Sequence, residues 1–299
     1  MILAAIAAAV LQPQTVFTVD PGHRLIEGIA TDGSTIWLSS LIDRKLLACR
    51  KSCATIAIVP GELHPFAIAW DSRRKRLWVA ADCPPNVGLI KACERGALLG
   101  YDRRGRLRTR IAPPLGVFHF GDVSASNGQV FVSDSQNGAV YRLTSNGRAL
   151  TALVPPGVGK SGQGSALDQT GGQLMVADYS QGVTVVDLST GKRTLLKRDD
   201  GRPIRGIDGM VRCGSDYYAV YNGQAPGAVL RLTVKGDAIS YTPLIDGAPL
   251  VDPTQIAVDG NRLLVVANAG WEIALKGAVR TEGTPILSVP LPNHCRNDP

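Results

Sequence analysis

The stretch GQGSALDQTGGQLMVADY, residues 162–179, has a simple internal order. A polar residue between glycines opens it, a short apolar run follows, Asp-Gln-Thr-Gly-Gly breaks the run, and Leu-Met-Val-Ala begins another. Two apolar runs joined by a short Gly-containing loop read as a β-hairpin. The same order recurs at IEGIATDGSTIWLSS (26–40), HPFAIAWDSRRKRLWVAA (64–81), GDVSASNGQVFVSDS (121–135), GIDGMVRCGSDYYAVYN (206–222) and PTQIAVDGNRLLVVANA (253–269). With Glu27, Phe66, Asp122, Gln163, Asp208 and Gln255 taken as equivalent first residues, the spacings are 39, 56, 41, 45 and 47 residues. Most phrases are followed by a further hairpin, as in GAVYRLTSNGRALTALV (138–154).

Periods of about 40 to 50 residues with four strands apiece are the pattern of propeller blades. Six repeats predict an all-β, six-bladed β-propeller. The long second interval contains Cys83 and Cys93 and reads as an insertion. After the last phrase only one clear strand remains, PILSVPL (285–291), so TVFTVD (15–20) is assigned as the outer strand of the final blade. Pairing of the N- and C-terminal strands then closes the ring and removes an exposed sheet edge. Residues 15–299 read as one domain, although length alone suggests two.

Composition agrees. The chain has 299 residues, of which 44% are hydrophobic and 19% charged, which excludes a disordered polymer. No long stretch carries the 3.6-residue period of a helix. The formal charge of +7 is concentrated in DSRRKR (71–76) and DRRGRLRTR (102–110), both read as solvated turns. Aromatic residues make up 5% of the chain and do not interleave with these arginines, so no nucleic-acid partner is expected.

Residues 1–14, MILAAIAAAVLQPQ, are too short to span a membrane and match the apolar region of a signal peptide, without its basic start. A periplasmic or secreted protein is expected. The six cysteines fit that compartment as disulfides, with Cys49–Cys53, Cys83–Cys93 and Cys213–Cys295 the most local of 15 possible pairings. No cysteine spacing suits zinc. The GKS of PPGVGKSGQGS (155–165) is not a phosphate loop, because Val154 stands where the first glycine is required and a strand follows. No GxSxG serine elbow occurs.

In a propeller the innermost strands border a central channel, so the six first residues converge on one mouth. Here the phrases become familiar. GIDGMV followed by YYAVYNGQAPGAVLRL resembles a fifth-blade phrase of the senescence-marker-protein/gluconolactonase (regucalcin-like) family. GSALDQTGGQLMVADY resembles that family's fourth blade, and Glu27-Gly28 its first. Paraoxonases and strictosidine synthase are more distant relatives on the same six-bladed plan. The resemblance implies calcium or another divalent cation at the mouth, held by Glu27 and Asp208, with Gln163 and Gly121 standing where the family carries asparagines. Asp122 matches the third-blade acid and is expected to hold the ion or act as a base.

Three histidines, His23, His64 and His119, shortly precede blade starts. His64 and His119 are candidate general bases, since imidazole is the commonest base near neutral pH. Together these readings imply hydrolysis of a small lactone or related ester. The alternatives are a non-catalytic propeller that binds a ligand or protein, and a metal-free enzyme like strictosidine synthase, with Glu272 near the region of that family's sixth-blade catalytic glutamate.

Overall fold

The structure is a computed structural model that describes residues 12–83, 87–88, 90, 96–114, 119–278 and 280–291. Of the signal-like segment 1–14, residues 1–11 lie outside that set, and Gln14 begins the first strand. β1 (Gln14–Val19) is followed by six groups of strands. Blade 1 holds β2 (Ile26–Thr31), β3 (Ile36–Ser40), β4 (Lys45–Cys49) and β5 (Cys53–Ile58). Blade 2 holds β6 (His64–Asp71), β7 (Arg76–Asp82), β8 (Ala97–Tyr101) and β9 (Leu107–Ile111). Blade 3 holds β10 (Phe120–Ser126), β11 (Gln129–Asp134), β12 (Val140–Leu143) and β13 (Leu150–Val154). Blade 4 holds β14 (Gly162–Leu167), β15 (Gln173–Asp178), β16 (Gly182–Asp187) and β17 (Arg193–Leu195). Blade 5 holds β18 (Ile207–Cys213), β19 (Asp216–Tyr221), β20 (Ala228–Lys235) and β21 (Ala238–Asp246). Blade 6 holds β22 (Ile256–Asp259), β23 (Arg262–Val266), the short helix α1 (Trp271–Leu275) and β24 (Thr284–Pro290).

Each blade is a four-stranded antiparallel sheet. In blade 6 the order is β22, β23, β24, β1, so the N-terminal strand forms the outer edge of the last blade. Gln14 pairs with Ser288 and Val19 with Thr284. The ring closes as its sequence predicts.

Both faces of every inner sheet are buried, which is why the strands read as continuous apolar runs. Along β23, Leu263 and Val265 pack toward blade 5, while Leu264 and Val266 pack toward blade 1. Period-2 alternation sends neighbouring side chains into opposite seams. The core therefore lies in six seams between blades. The seam between blades 1 and 2 holds Trp37, Leu46, Leu77 and Val79, with Trp37 stacked on Trp70 at 4.8 Å. That between blades 2 and 3 is filled by Trp78, Val132 and Tyr141.

The arginine-rich segments start in the turns that follow β6 and β8, on the face opposite the starts of the inner strands; the second is a turn only in its first half and runs on into β9 with Arg108 and Arg110. Arg74 bonds Asp71 and reaches the Gly128 carbonyl of blade 3, at 2.9 and 2.6 Å. Arg103 pairs with Asp32 of blade 1 and lies over the Trp70 ring. These cations tie blade to blade. Cys49 and Cys53 are disulfide-bonded across the β4–β5 hairpin. Cys83 and Cys213 are also disulfide-bonded; their expected partners, Cys93 and Cys295, lie outside the described residues. Among the described residues no helix is long and apolar enough to cross a membrane.

At the channel, blades approach so closely that side chains are excluded. A Cβ added at Gly164 would lie 2.5 Å from both Asp208 O and Met210 N of the next blade. Gly164→Ala is expected to destabilise the fold by about 2 kcal/mol through overpacking. Gly172→Ala, whose new Cβ meets only the Thr170 hydroxyl at 3.3 Å, should stay within about 0.5 kcal/mol. Thermal unfolding of the two variants checks this, and equal midpoints would contradict the close approach.

Candidate active site at the channel mouth

The inner strands share an irregularity at the same place. In blade 1, Ile26 pairs with Ser40 and Ile29 with Leu38, so Glu27 and Gly28 together oppose Ser39. Gln163 and Gly164 oppose Ala177 in the same way, and Asp208 and Gly209 oppose Val220. Phe66 and Ala67 do so in blade 2. Two residues against one is a β-bulge, which re-aims a side chain away from the regular alternation. The bulge is what turns Glu27, Gln163 and Asp208 to the mouth.

Hydroxyls lock the bulges across blades. Ser39 Oγ accepts from Gly28 N at 2.7 Å and donates to the Phe66 carbonyl at 2.5 Å. Ser133 Oγ donates to the Gln163 carbonyl at 2.8 Å, and Thr254 Oγ1 to the Glu27 carbonyl at 3.0 Å.

Register corrects one sequence equivalence. Phe120 pairs with Asp134 and Asp122 with Ser133, so the bulged residue of blade 3 is Gly121, and Asp122 sits one position further along. The two departures from the family pattern fit each other. A Cβ at Gly121 would lie 3.0 Å from Gln163 Oε1, so the longer Gln163 amide occupies space that glycine leaves open. Asp122 lies lower in the channel. Its Oδ2 accepts from Gln255 Nε2 at 3.2 Å, joining blades 3 and 6 across the ring, and its Oδ1 accepts from Val123 N at 2.5 Å. Asp122 and Gln255 line a channel cavity of about 270 Å³ that Glu27, Gln163 and Asp208 do not line.

Above this bridge the mouth is acidic. Glu27 is 6% exposed, and its Oε2 accepts from Trp271 Nε1 at 2.7 Å. Trp271 is set by Asp252, whose Oδ2 accepts from both Gly270 N and Trp271 N at 2.9 and 2.6 Å. Asp208 Oδ2 accepts from Asn222 Nδ2 at 2.8 Å, and the same amide donates to the Pro253 carbonyl at 3.0 Å. Asn222 Oδ1 is buried without a donor. Tyr179 completes the rim, its hydroxyl donating to the Asn222 carbonyl at 3.3 Å.

Burial, then the charges of Asp208, Asp252 and Asp122, push the Glu27 carboxyl well above the usual range; Trp271 opposes this. Asp208 keeps some solvent access at the mouth, yet protein surrounds it deeply. Burial first, then Asp122 and Asp252, push its carboxyl up to about 8. Asp122 is raised by burial to about 7 against the bonds from Gln255 and Val123. Asp252 is raised too, chiefly by burial. Carboxylates with overlapping fields repel when all are ionised. Among the described residues no ion pair reaches Glu27, Asp122 or Asp208, and no group of three His, Cys, Asp or Glu side chains is arranged to hold a metal ion. The Glu27 and Asp208 carboxylates, the Gln163 amide oxygen and the orphaned Asn222 Oδ1 are hard donors of the kind calcium takes.

The histidines separate. His64 is buried and donates Nδ1 to the Leu41 carbonyl at 2.8 Å; burial, more than Arg44, pushes its pKa down, and the Leu41 bond opposes that. It sits in the seam between blades 1 and 2 as a neutral ring. His23 Nδ1 is buried without a partner. His119 precedes Gly121 by two residues, and its Nδ1 lies 2.7 Å from Asp82 Oδ2. Glu272 is 81% exposed on α1 and bonds Lys276 at 2.6 Å, so it is no channel acid.

Asn222, Asp252, Trp271, Tyr179 and Asp82 are mouth residues that sequence reasoning missed. Asn222 was visible in the YNG of the fifth phrase, and Asp252 directly precedes the sixth. Trp271 and Asp82 had no such signal.

No protein-family model matches the sequence, and no curated protein does. Solved structures do. A PQQ-bound aldose sugar dehydrogenase from Streptomyces coelicolor superposes with TM-score 0.66 at 14% identity, over 95% of this chain and 99% of that one. A gluconolactonase from Xanthomonas campestris gives 0.64 at 16% identity, over 97% and 93%. Regucalcin, a calcium-binding protein from Agrobacterium tumefaciens, gives 0.62 at 19% identity, over 97% and 100%. The chain has the six-bladed fold of the gluconolactonase and regucalcin propellers, as its phrases imply. At these identities the likeness is one of fold.

The raised carboxyls make a signed prediction. Burial and the neighbouring acids push the Asp208 carboxyl up to about 8 in the fold, so near neutral pH the native state holds a proton that the unfolded chain has lost. The chelated protein should therefore lose stability as pH rises from about 4 to about 8. Asp208→Asn removes the titrating carboxyl, so the chelated variant should unfold later than wild type at pH 9 and by a clearly smaller margin at pH 5, where only part of the wild type's loss has occurred. Thermal unfolding at the two pH values checks this; a wild type that gains stability toward pH 9 would contradict the buried-acid assignment.

Proposed function

We propose that the protein hydrolyses small lactones or related esters at the channel mouth, with a divalent cation of the calcium type held by Glu27, Gln163 and Asp208. The observation that carries this is the pair of carboxylates, buried Glu27 and half-buried Asp208, turned by equivalent bulges into one electrostatic field without a described cation beside them. Asn222 supports the set with its orphaned amide oxygen next to Asp208. The gluconolactonase and regucalcin folds agree with this reading.

A divalent cation bound there supplies positive charge that polarises an ester carbonyl and stabilises its oxyanion. The chain's own residues do the rest. Trp271 and Asn222 hold Glu27 and Asp208 in place through the bonds already described. Phe66, 6.2 Å from Trp271 between ring centroids, gives the mouth an apolar wall for the carbon skeleton. His119, at the start of blade 3, takes the proton of the attacking water. Asp122, tied to Gln255, closes the floor and keeps the substrate on the mouth side. His64, neutral and bound to Leu41, takes no part.

The disulfide-bonded cysteines support an oxidising compartment, periplasmic or extracellular, as the place of action.

A panel of aldonolactones and aliphatic lactones, followed by acid release in a pH-stat, tests the reading. Turnover should appear with added calcium or manganese, vanish on chelation and return on readdition. Glu27→Gln or Asp208→Asn should lower kcat/KM by at least about 100-fold, the scale of losing a metal-holding group. Turnover that survives exhaustive chelation contradicts the cation. A chelation-insensitive protein with no turnover favours a non-catalytic binding propeller instead.

A further inference from the structure

We propose that Asp82 is a positioning residue for the reaction, holding His119 so that its Nε2 faces the mouth. The inference rests on the hydrolase reading. Asp82 ends β7 and is paired with His64 at the start of β6, which places it at the mouth end of blade 2. It is 2% exposed, and both its oxygens are used: Oδ1 accepts from Cys83 N at 2.7 Å, and Oδ2 meets His119 Nδ1 at 2.7 Å. Burial raises the Asp82 carboxyl while the Cys83 and His119 contacts lower it.

His119 is gripped from its own blade as well. Its N donates to Asp134 Oδ2 at 3.3 Å, and its carbonyl accepts from Ser135 N and Ser135 Oγ at 2.9 and 3.1 Å. The imidazole is thus fixed between two blades, yet its side chain remains 15% exposed. A histidine serving only as a staple has no reason to keep that access. It stands two residues before Gly121, where Gln163 Oε1 fills the space beside the backbone.

A carboxylate on Nδ1 fixes the tautomer in which Nε2 carries a lone pair. The step then balances. Nε2 takes a proton from water as the water oxygen bonds to the lactone carbonyl carbon. When the ring C–O bond breaks, its electron pair goes to the leaving oxygen, and Nε2–H returns the proton to it. Lactone and water become one hydroxy acid, and the histidine is restored.

Asp82→Asn should lower kcat by about 100-fold, within the range that general acid–base catalysis contributes, with KM changed less than about twofold. His119→Gln should lose at least as much. If Asp82 acts only through His119, the double variant should be no slower than His119→Gln, because residues acting as one unit are not additive. Asp82→Glu should recover part of the rate. Full kcat in Asp82→Asn, or losses that multiply in the double variant, overturns the proposal while leaving the hydrolase reading intact. If Asp82→Asn fails to fold, the Asp82→Glu rate decides: a kcat equal to that of His119→Gln or to wild type overturns the pairing, and an intermediate value supports it. A wild type that turns over no lactone or ester overturns both.

Discussion

Each early inner strand of this ring carries one residue too many for its neighbour. That surplus, the β-bulge at Glu27-Gly28, Phe66-Ala67, Gly121, Gln163-Gly164 and Asp208-Gly209, is the constraint on which the rest depends. A regular strand would alternate these side chains between two seams and bury them among leucines and valines. The bulge instead frees one side chain per blade for the channel and brings the next backbone close, where glycine is needed. Ser39, Ser133 and Thr254 fix the arrangement by donating to the carbonyl of the following bulge. Closure of the ring by β1 on β24 then makes residues 181 positions apart in the chain neighbours in one field.

What the mouth does with that field follows from electrostatics. Glu27, Asp208, Asp252 and Asp122 each raise another's pKa or are raised by burial, and Trp271 and Asn222 compensate only in part. Two outcomes relieve such a cluster: the acids keep protons, or a cation joins them. The basic turns on the opposite face do not relieve it, because Arg74 and Arg103 are committed to blade-to-blade bonds. A chain with formal charge +7 thus carries a locally acidic mouth, and the overall charge says nothing about the site.

The sequence was most legible where periodicity carried the message. Blade number, the β1–β24 closure and the positions of Glu27 and Asp208 all follow from phrase spacing and the Glu-Gly and Asp-Gly pairs. Asp122 slipped by one position, because without strand register the sequence does not show that Gly121, and not Asp122, stands where Glu27 stands in blade 1. The pairing of Gly121 with Gln163 was unreadable for a related reason: each looks like a lost ligand alone, and only the structure shows that a side chain at 121 would crowd Gln163 Oε1. Trp271 reaches Glu27 from 244 residues away and follows an irregular segment with no repeat signal. His64 and His119 look alike in sequence, yet one faces a backbone carbonyl in a seam and the other a carboxylate at the mouth.

The account stands on Glu27 and Asp208 sharing one cation. Native mass spectrometry of the protein equilibrated with calcium, paired with elemental analysis, measures that directly. One divalent ion per wild-type chain, lost in the Glu27→Gln, Asp208→Asn double variant while its fold is retained, is the predicted result. A wild-type chain that takes up no ion at millimolar calcium, or a double variant that binds it equally well, would contradict the account.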